Sequence, residues 1–267
     1  MRLTVVGCAG SFPGPDSAAS CYLVQADDAA GRTWNVLLDL GSGALGPLQR
    51  VCDPAALDAV ALSHLHPDHM ADVSGLYVYL RYRPVVDGVP RRRAPLPVHG
   101  PFGTASRLGE AYGLEPGEEL TDQLAVHTWQ AGRAVRVGPL TLTPISVNHP
   151  VPAYGVRVEG PAELDPGRTV TLAYSGDTDT CAGLDELARG ADLLLCEAAF
   201  VEGRDDAVRD IHLTGRRAGE AAERAGAARL LLTHVPAWNA PDVALAEARE
   251  VFAGPIDTAR PGLVVAL

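Results

Sequence analysis

The junction AVALSHLHPDHM, residues 59–70, constrains this chain more than any other stretch. An apolar run ends directly in His64, His66, Asp68 and His69, which places three of the chain's 8 histidines inside six positions. The run reads as a buried strand, so the polar cluster sits at a strand's carboxyl end. His64 and His66 are two residues apart and project to the same side of extended backbone, where both imidazoles reach one ion. Asp68 and His69 fall on the turn that follows, free to face a second ion beside the first.

The flanking segments alternate between strand and helix character. RLTVVGC, SCYLVQA and NVLLDLG are rich in apolar and β-branched residues and are separated by Gly, Pro and Asp, as expected of strands in a mixed sheet. GALGPLQRVC and DPAALD read as short helical pieces. In PDHMADVSGLYVYLRYR, Met70, Val73, Leu76, Tyr77 and Leu80 recur at three and four, which predicts one helix packed on a sheet. PVVDGVPRRRAPLP, from Pro84 to Pro97, reads as a surface loop. In the second half PLTLTPISV, AYGVRVEG, TVTLAYSGD, ADLLLCEAAF and ARLLLTHV are expected strands. CAGLDELARG, TGRRAGEAAERAG and PDVALAEAREVFAG are expected helices. No composition break or linker divides the chain, so residues 1–267 are expected to form a single domain with two α/β halves.

Charge narrows the partners. A net charge of -11 and a pI near 5.1 repel polyanions, so long nucleic acid is not an expected partner, while a small anion held by metal ions is accommodated. Arg81, Arg83, Arg91, Arg92 and Arg93 either steer such an anion or form an ordinary solvated helix end and loop. The five cysteines are odd in number and contain no C-x-x-C pair, which suggests neither a disulfide framework nor a structural zinc site and fits a reducing cytoplasm. MRLTVVGCAG reads as a first strand rather than a leader, and no window approaches the roughly 18 apolar residues of a membrane span. No membrane partner is expected.

Imidazole and carboxylate together suit Zn²⁺, with manganese or iron as alternatives. Two such ions about 3.5–4 Å apart lower the pKa of a bridging water and clamp both oxygens of an in-line displacement. Further ligands have to come from elsewhere, and His149 in SVNHPVPAYG, Asp177 in YSGDTDT and His234 in LLTHVP each follow a later expected strand. Taken singly, Asp177 is equally an ordinary turn aspartate beside Gly176, and His149 and His234 are equally hydrogen-bonded core histidines.

The order HLHPDH, a lone His, SGDT and then TH resembles the metallo-β-lactamase superfamily from Met1 to about Trp238. That resemblance implies an αββα sandwich, two mixed sheets flanked by helices. It also implies two divalent metals, with His64, His66 and His149 on one, Asp68, His69 and His234 on the other, and Asp177 bridging. An aspartate at position 177 rather than a cysteine, and the presence of both Asp68 and His69, resemble the phosphodiesterase and RNase Z branch. So do the glycine-rich opening VVGCAGSFPGPDSAASCYLV, the LLLCEAAF segment that keeps Glu197, and the IHLTG start of a helix leading to the last histidine.

Within that branch the likeness is greatest to actinobacterial proteins regarded as atypical cyclic-nucleotide phosphodiesterases, which share GPDSxAS, LSHLHxDH, AYSGDT, LCEA, HLxG and LLLTH. The implied reaction is attack of a metal-bridging hydroxide on a small phosphodiester, a 3′,5′-cyclic nucleotide such as cAMP. His212 would be the general acid that protonates the leaving alkoxide, oriented by Glu197, and Asp68 would accept a proton from the attacking water. Alternatively, His212 idles beside Thr214, which caps the helix that follows. RNase Z proper carries a long tRNA-gripping arm between its bridging aspartate and its His-x-Thr motif, and 35 positions from Asp177 to His212 leave no room for one. The competing readings are an RNase Z-like tRNA 3′-processing endonuclease, a lactone or thioester hydrolase on the same fold, and a metal-bearing ligand sensor. A homodimer is compatible with the resemblance, since many relatives are dimeric.

Overall fold

Hydrophobic alternation explains the layers of the protein, whose computed structural model describes residues 1–84 and 94–267. Successive strand side chains point to opposite faces. Leu3, Val5, Tyr22, Val24, Leu193 and Leu195 therefore meet in one central cluster. Their neighbours Val6, Cys21 and Leu23 face a second cluster, and Leu194 and Cys196 a third. Strands apolar on both faces need cover on both sides, which a sheet pair enclosed by helices supplies.

Two seven-stranded sheets provide this arrangement. The first runs in the order Val264–Ala266, Arg2–Gly7, Cys21–Asp27, Thr33–Leu38, Ala59–Ala61, Leu96–Gly100, Leu124–Thr128. The second runs Ile256–Thr258, Leu230–Thr233, Leu193–Glu197, Thr169–Tyr174, Tyr154–Pro161, Leu140–Ser146, Val135–Val137. Each is mixed, with antiparallel pairs giving way to parallel ones at Thr33–Leu38 and at Thr169–Tyr174. Helices Val73–Tyr82 and Thr104–Tyr112 bury Leu76 and Leu108 against the outer face of the first sheet. Helices Ala182–Ala188, Gly215–Ala225 and Pro241–Arg249 bury Leu187, Ala221 and Ala248 against the other. The architecture is the αββα sandwich.

This plan positions the polar residues of interest. Asp39 follows the parallel-paired strand Thr33–Leu38, and Ser63 and His64 follow Ala59–Ala61. Asp177 follows Thr169–Tyr174, Glu197 ends Leu193–Glu197, and His234 follows Leu230–Thr233. All lie at carboxyl ends of parallel-paired strands, the edge at which open α/β sheets gather ligands.

Two local expectations change. The helix expected from Pro67 to Arg83 is two, Pro67–Met70 and Val73–Tyr82. The break occurs because Asp72 N donates to Leu40 O and the Asp72 carboxylate accepts from Leu45 N at 2.8 Å, anchoring the turn to a neighbouring loop. The loop expected from Pro84 to Pro97 ends earlier, since Leu96–Gly100 is a strand paired on both sides, and residues 85–93 lie outside the described residues. Sequence periodicity left residues 98–138 unread, and they hold the Thr104–Tyr112 helix and the short strands Leu124–Thr128 and Val135–Val137. Those strands are partly exposed and lack a clean alternation. All five cysteines are free. Among the described residues no helix is long and apolar enough to cross a membrane.

Candidate metal centre

The seven residues singled out from the sequence converge. His64, His66, His149 and Asp177 form one group and Asp68, His69, Asp177 and His234 another, the ligand-type atoms of each group lying within 4.8 Å of one another. Asp177 belongs to both. In the first group His66 Nδ1 lies 3.0 Å from His64 Nε2 and 3.2 Å from His149 Nε2. In the second, Asp177 Oδ1 lies 3.2 Å from His69 Nε2, and Asp177 Oδ2 3.2 Å from His234 Nε2. Asp68 Oδ2 stands 3.5 Å from His69 Nε2.

In four of the five histidines the outer nitrogen, Nδ1, is held so that the inner one faces the centre. His69 Nδ1 donates to Asp39 Oδ2 at 2.7 Å, and His149 Nδ1 donates to Ile211 O at 2.9 Å. His64 Nδ1 meets Ser63 Oγ at 3.1 Å, and His234 Nδ1 meets Ser20 Oγ at 3.1 Å. Such outer hydrogen bonds choose the tautomer and leave a lone pair on Nε2. Burial pushes the His64, His66, His149 and His234 imidazoles below the usual histidine range, so they are neutral near pH 7. Burial opposes ionisation of Asp177, yet His234, His69 and His64 hold its carboxyl well below the usual range.

The strongest sign of a missing partner is an atom count. Buried polar atoms without hydrogen bonds are rare. Among the described residues there are four on side chains, and His69 Nε2, Asp177 Oδ1 and His234 Nε2, all in the second group, are three of them. Two imidazole nitrogens and a carboxylate oxygen converge on one point. Against burial, the Asp177 and Asp39 carboxylates raise the His69 imidazole well above the usual histidine range, and a cation at that point would take the place of its proton and satisfy all three atoms. The donor set fits a dinuclear metal site.

A third cluster, Asp177, Glu197 and His212, differs. Glu197 Oε1 accepts from Thr178 N at 2.8 Å and from His212 Nδ1 at 2.9 Å, while Oε2 accepts from Ala199 N and Leu213 N, both at 3.2 Å. Four donors occupy this carboxylate, so it orients His212 and is not free to ligate. Ring centroids put His212 5.5 Å from His149 and 5.4 Å from His234, beside both groups at once. Thr214 does cap the following helix, accepting from Arg217 N, so capping and the His212–Glu197 pair coexist.

A family model for the beta-lactamase superfamily domain matches residues 34–235. The chain belongs to the beta-lactamase superfamily. Among its relatives, an uncharacterized protein of Mycobacterium tuberculosis is 43% identical over 258 residues, which cover 96% of this chain and 88% of that one. The probable metallo-hydrolase YhfI of Bacillus subtilis is 31% identical over 268 residues, 99% of each chain. The crystal structure of YhfI superposes with a TM-score of 0.80 at 30% identity, covering 99% of this chain and 98% of that one. A ribonuclease Z of Mycobacterium bovis is 32% identical over 264 residues, 89% of this chain and 87% of its own. These relationships place the chain among the metallo-hydrolases of the superfamily.

Two residues of this superfamily member escaped the sequence reading. Asp39 is fully buried and accepts from His69, from Ser63 N and Oγ, both at 2.7 Å, and from Tyr174 OH at 2.6 Å. Asp179, 1% exposed, accepts from Asp210 N at 2.9 Å, Arg209 Nε at 3.0 Å and Arg217 Nη1 at 3.3 Å, which holds the segment leading to His212. The only sequence signal for Asp39 was an aspartate closing an apolar run, and for Asp179 a second aspartate two positions after Asp177. Of the arginines, Arg81 pairs with Asp122, and Arg83 lies 3.9 Å from Asp53. Arg91, Arg92 and Arg93 lie outside the described residues.

Proposed function

We propose that this protein is a dinuclear-metal phosphodiesterase acting on a small phosphodiester, a 3′,5′-cyclic nucleotide such as cAMP. His64, His66, His149 and Asp177 would hold one divalent ion and Asp68, His69, His234 and Asp177 the other, with zinc favoured by the histidine-rich donor set. When bound, such a pair lowers the pKa of water and offsets the charge of a phosphate diester. The remaining chemistry belongs to side chains. Burial works against ionisation of Asp68, but His69 and His234 hold it ionised, as a ligating carboxylate has to be, and in this reading it is also the group that receives the proton of the attacking water.

The observation that carries the reading is the His212–Glu197 pair. Glu197 holds Nδ1, which leaves the Nε2 side of the ring to carry a proton to a leaving ribose oxygen. An alkoxide is a poor leaving group and needs that proton, whereas a thioester expels a thiolate that is stable without it. A small substrate is favoured because the interval from Asp177 to His212 is taken up by the helix Ala182–Ala188, the strand Leu193–Glu197 and a segment tied to Asp179. The acidic surface adds to this.

The test is metal analysis and turnover on one preparation, with cAMP, bis-p-nitrophenyl phosphate, a precursor tRNA, a lactone and nitrocefin. Two metals per chain and preferential cleavage of cAMP are expected. Preference for precursor tRNA would support the ribonuclease Z alternative raised by the 32% identical relative. Preference for the lactone would overturn phosphorus as the target, and cAMP binding without turnover would make the protein a sensor.

A further inference from the structure

Two aromatic side chains touch one another in the open, one of them four residues after His234 in the chain. Phe12 is 44% and Trp238 61% exposed, with ring centroids 5.2 Å apart and planes tilted by 46°. The fold brings them together through a two-stranded ribbon. Val235–Pro236 continues directly from His234 and pairs in parallel with Ala9–Gly10, Val235 opposite Ala9 and Pro236 opposite Gly10. Phe12 and Trp238 each come two residues after the paired positions, so they leave the ribbon side by side. Gly10 is pressed against the metal centre itself, since a Cβ there would stand 2.3 Å from His234 O and 2.9 Å from His234 Cδ2. Chain length keeps Trp238 within about 14 Å of His234 along the backbone.

Two large rings that meet yet stay in water leave an apolar face for a partner to cover. A nucleotide recognised only by its phosphate could not be told from any other phosphodiester, so selection for a base needs a surface within a nucleoside's length of the metals. We propose that Phe12 and Trp238 form that surface, a shelf on which the base of a nucleotide substrate stacks while its phosphate lies between the two ligand groups. This rests on the phosphodiesterase reading above. Stacking on an aromatic face is tolerant of base identity and favours large ring systems. The shelf therefore separates nucleotides from base-free esters, and purines from pyrimidines, more sharply than adenine from guanine.

Tryptophan emission tests the contact without turnover. Of the three tryptophans, Trp129 is 4% exposed and Trp34 has the Arg32 guanidinium laid over its ring, so quenching by adenosine 5′-monophosphate reports on Trp238. Saturable quenching in the metal-loaded protein, lost in Trp238→Phe, is expected. In kinetics, Trp238→Ala and Phe12→Ala should each raise KM for cAMP relative to KM for the same cyclic ribose phosphate without its base, by about 5- to 100-fold. Trp238→Phe, which keeps a ring, should raise that ratio less. Both side chains are solvent-exposed, and thermal unfolding verifies that the variants fold. An unchanged ratio, or no quenching of the wild-type protein, overturns the shelf. Quenching that is lost in Trp238→Phe without hydrolysis of any phosphodiester keeps the shelf and overturns the activity, whereas cAMP turnover without quenching does the reverse.

Discussion

Asp39 and His69 meet in a 2.7 Å hydrogen bond from which solvent is fully excluded. The same carboxylate accepts from Ser63 on its own sheet and from Tyr174 on the opposite one, so a single buried group joins the two sheets directly behind the metal centre. Its charge keeps the proton of His69 on Nδ1 and leaves Nε2 facing inward. Asp39→Asn preserves shape but turns an amide NH₂ toward groups that all donate. Metal affinity should fall about 10- to 100-fold, as is usual when the outer partner of a ligating histidine is lost. Competition with a chromophoric chelator measures it, and wild-type affinity in the variant would show that Asp39 does not set the orientation of His69.

His212 is predicted to matter in proportion to how badly the leaving group needs a proton. His212→Ala should lower cAMP hydrolysis by about 10²–10⁴-fold, the usual reach of a positioned general acid. Cleavage of bis-p-nitrophenyl phosphate, whose leaving phenolate is stable without protonation, should fall far less. Metal content should stay at the wild-type level, because Glu197 and His212 stand outside both ligand groups. Equal losses on the two substrates would falsify the acid role and leave His212 as a structural partner of Glu197.

The pH behaviour of His212 follows from its surroundings. Burial works against its charge, but Glu197 at 2.9 Å outweighs burial and Asp177 adds to it, so the imidazole is pushed up to about 9. An unfolded histidine titrates near 6.5, so the folded pKa is the higher of the two. The stability this pair contributes is then fully present below about pH 6.5 and is lost as pH rises through about 9. In metal-free protein the stability gap between wild type and His212→Gln should close over that interval, and the His212 imidazole resonances should titrate near its upper end. Cations bound beside the ring repel its charge and should move the midpoint down. A midpoint near 6.5 in metal-free protein contradicts the assignment.

The centre was legible from the sequence where chemistry was concentrated and obscure where it depended on tertiary contacts. His64, His66, Asp68 and His69 stand out because four donors within six positions have few other uses. Asp177, His149 and His234 were found only by their order along the chain, each after an expected strand. Asp39 closes LLDLG with no more signal than any turn aspartate, and its importance appears only when His69, 30 residues later, and Tyr174, 135 residues later, arrive at its oxygens. The helix broken at Asp72 is similar, because its apolar spacing runs straight through a turn that Leu40 and Leu45 enforce. Short, half-exposed strands such as Leu124–Thr128 carry too little alternation to be read before their parallel neighbour is known.

A steric prediction tests the same geometry without touching any donor atom. Gly41 lies two residues after Asp39, and a Cβ on it would stand 1.9 Å from Asp68 O and 2.5 Å from Asp68 C. Backbone cannot yield as a flexible side chain does, so Gly41→Ala has to push the Pro67–Met70 turn outward. Leu40 N donates to His69 O at 2.9 Å, so the displacement carries His69 with it and separates Asp68 and His69 from Asp177. The expected result is about 1–3 kcal/mol of lost stability, as for other overpacked sites, together with loss of one of two bound metals. Gly46→Ala is the control, because nothing lies within 4 Å of a Cβ there and alanine is the better helix former in Leu45–Leu48. Chemical denaturation and metal analysis of both variants decide it. Full metal content in Gly41→Ala would mean that the contact between Gly41 and Asp68 is not what holds the second ligand group in place.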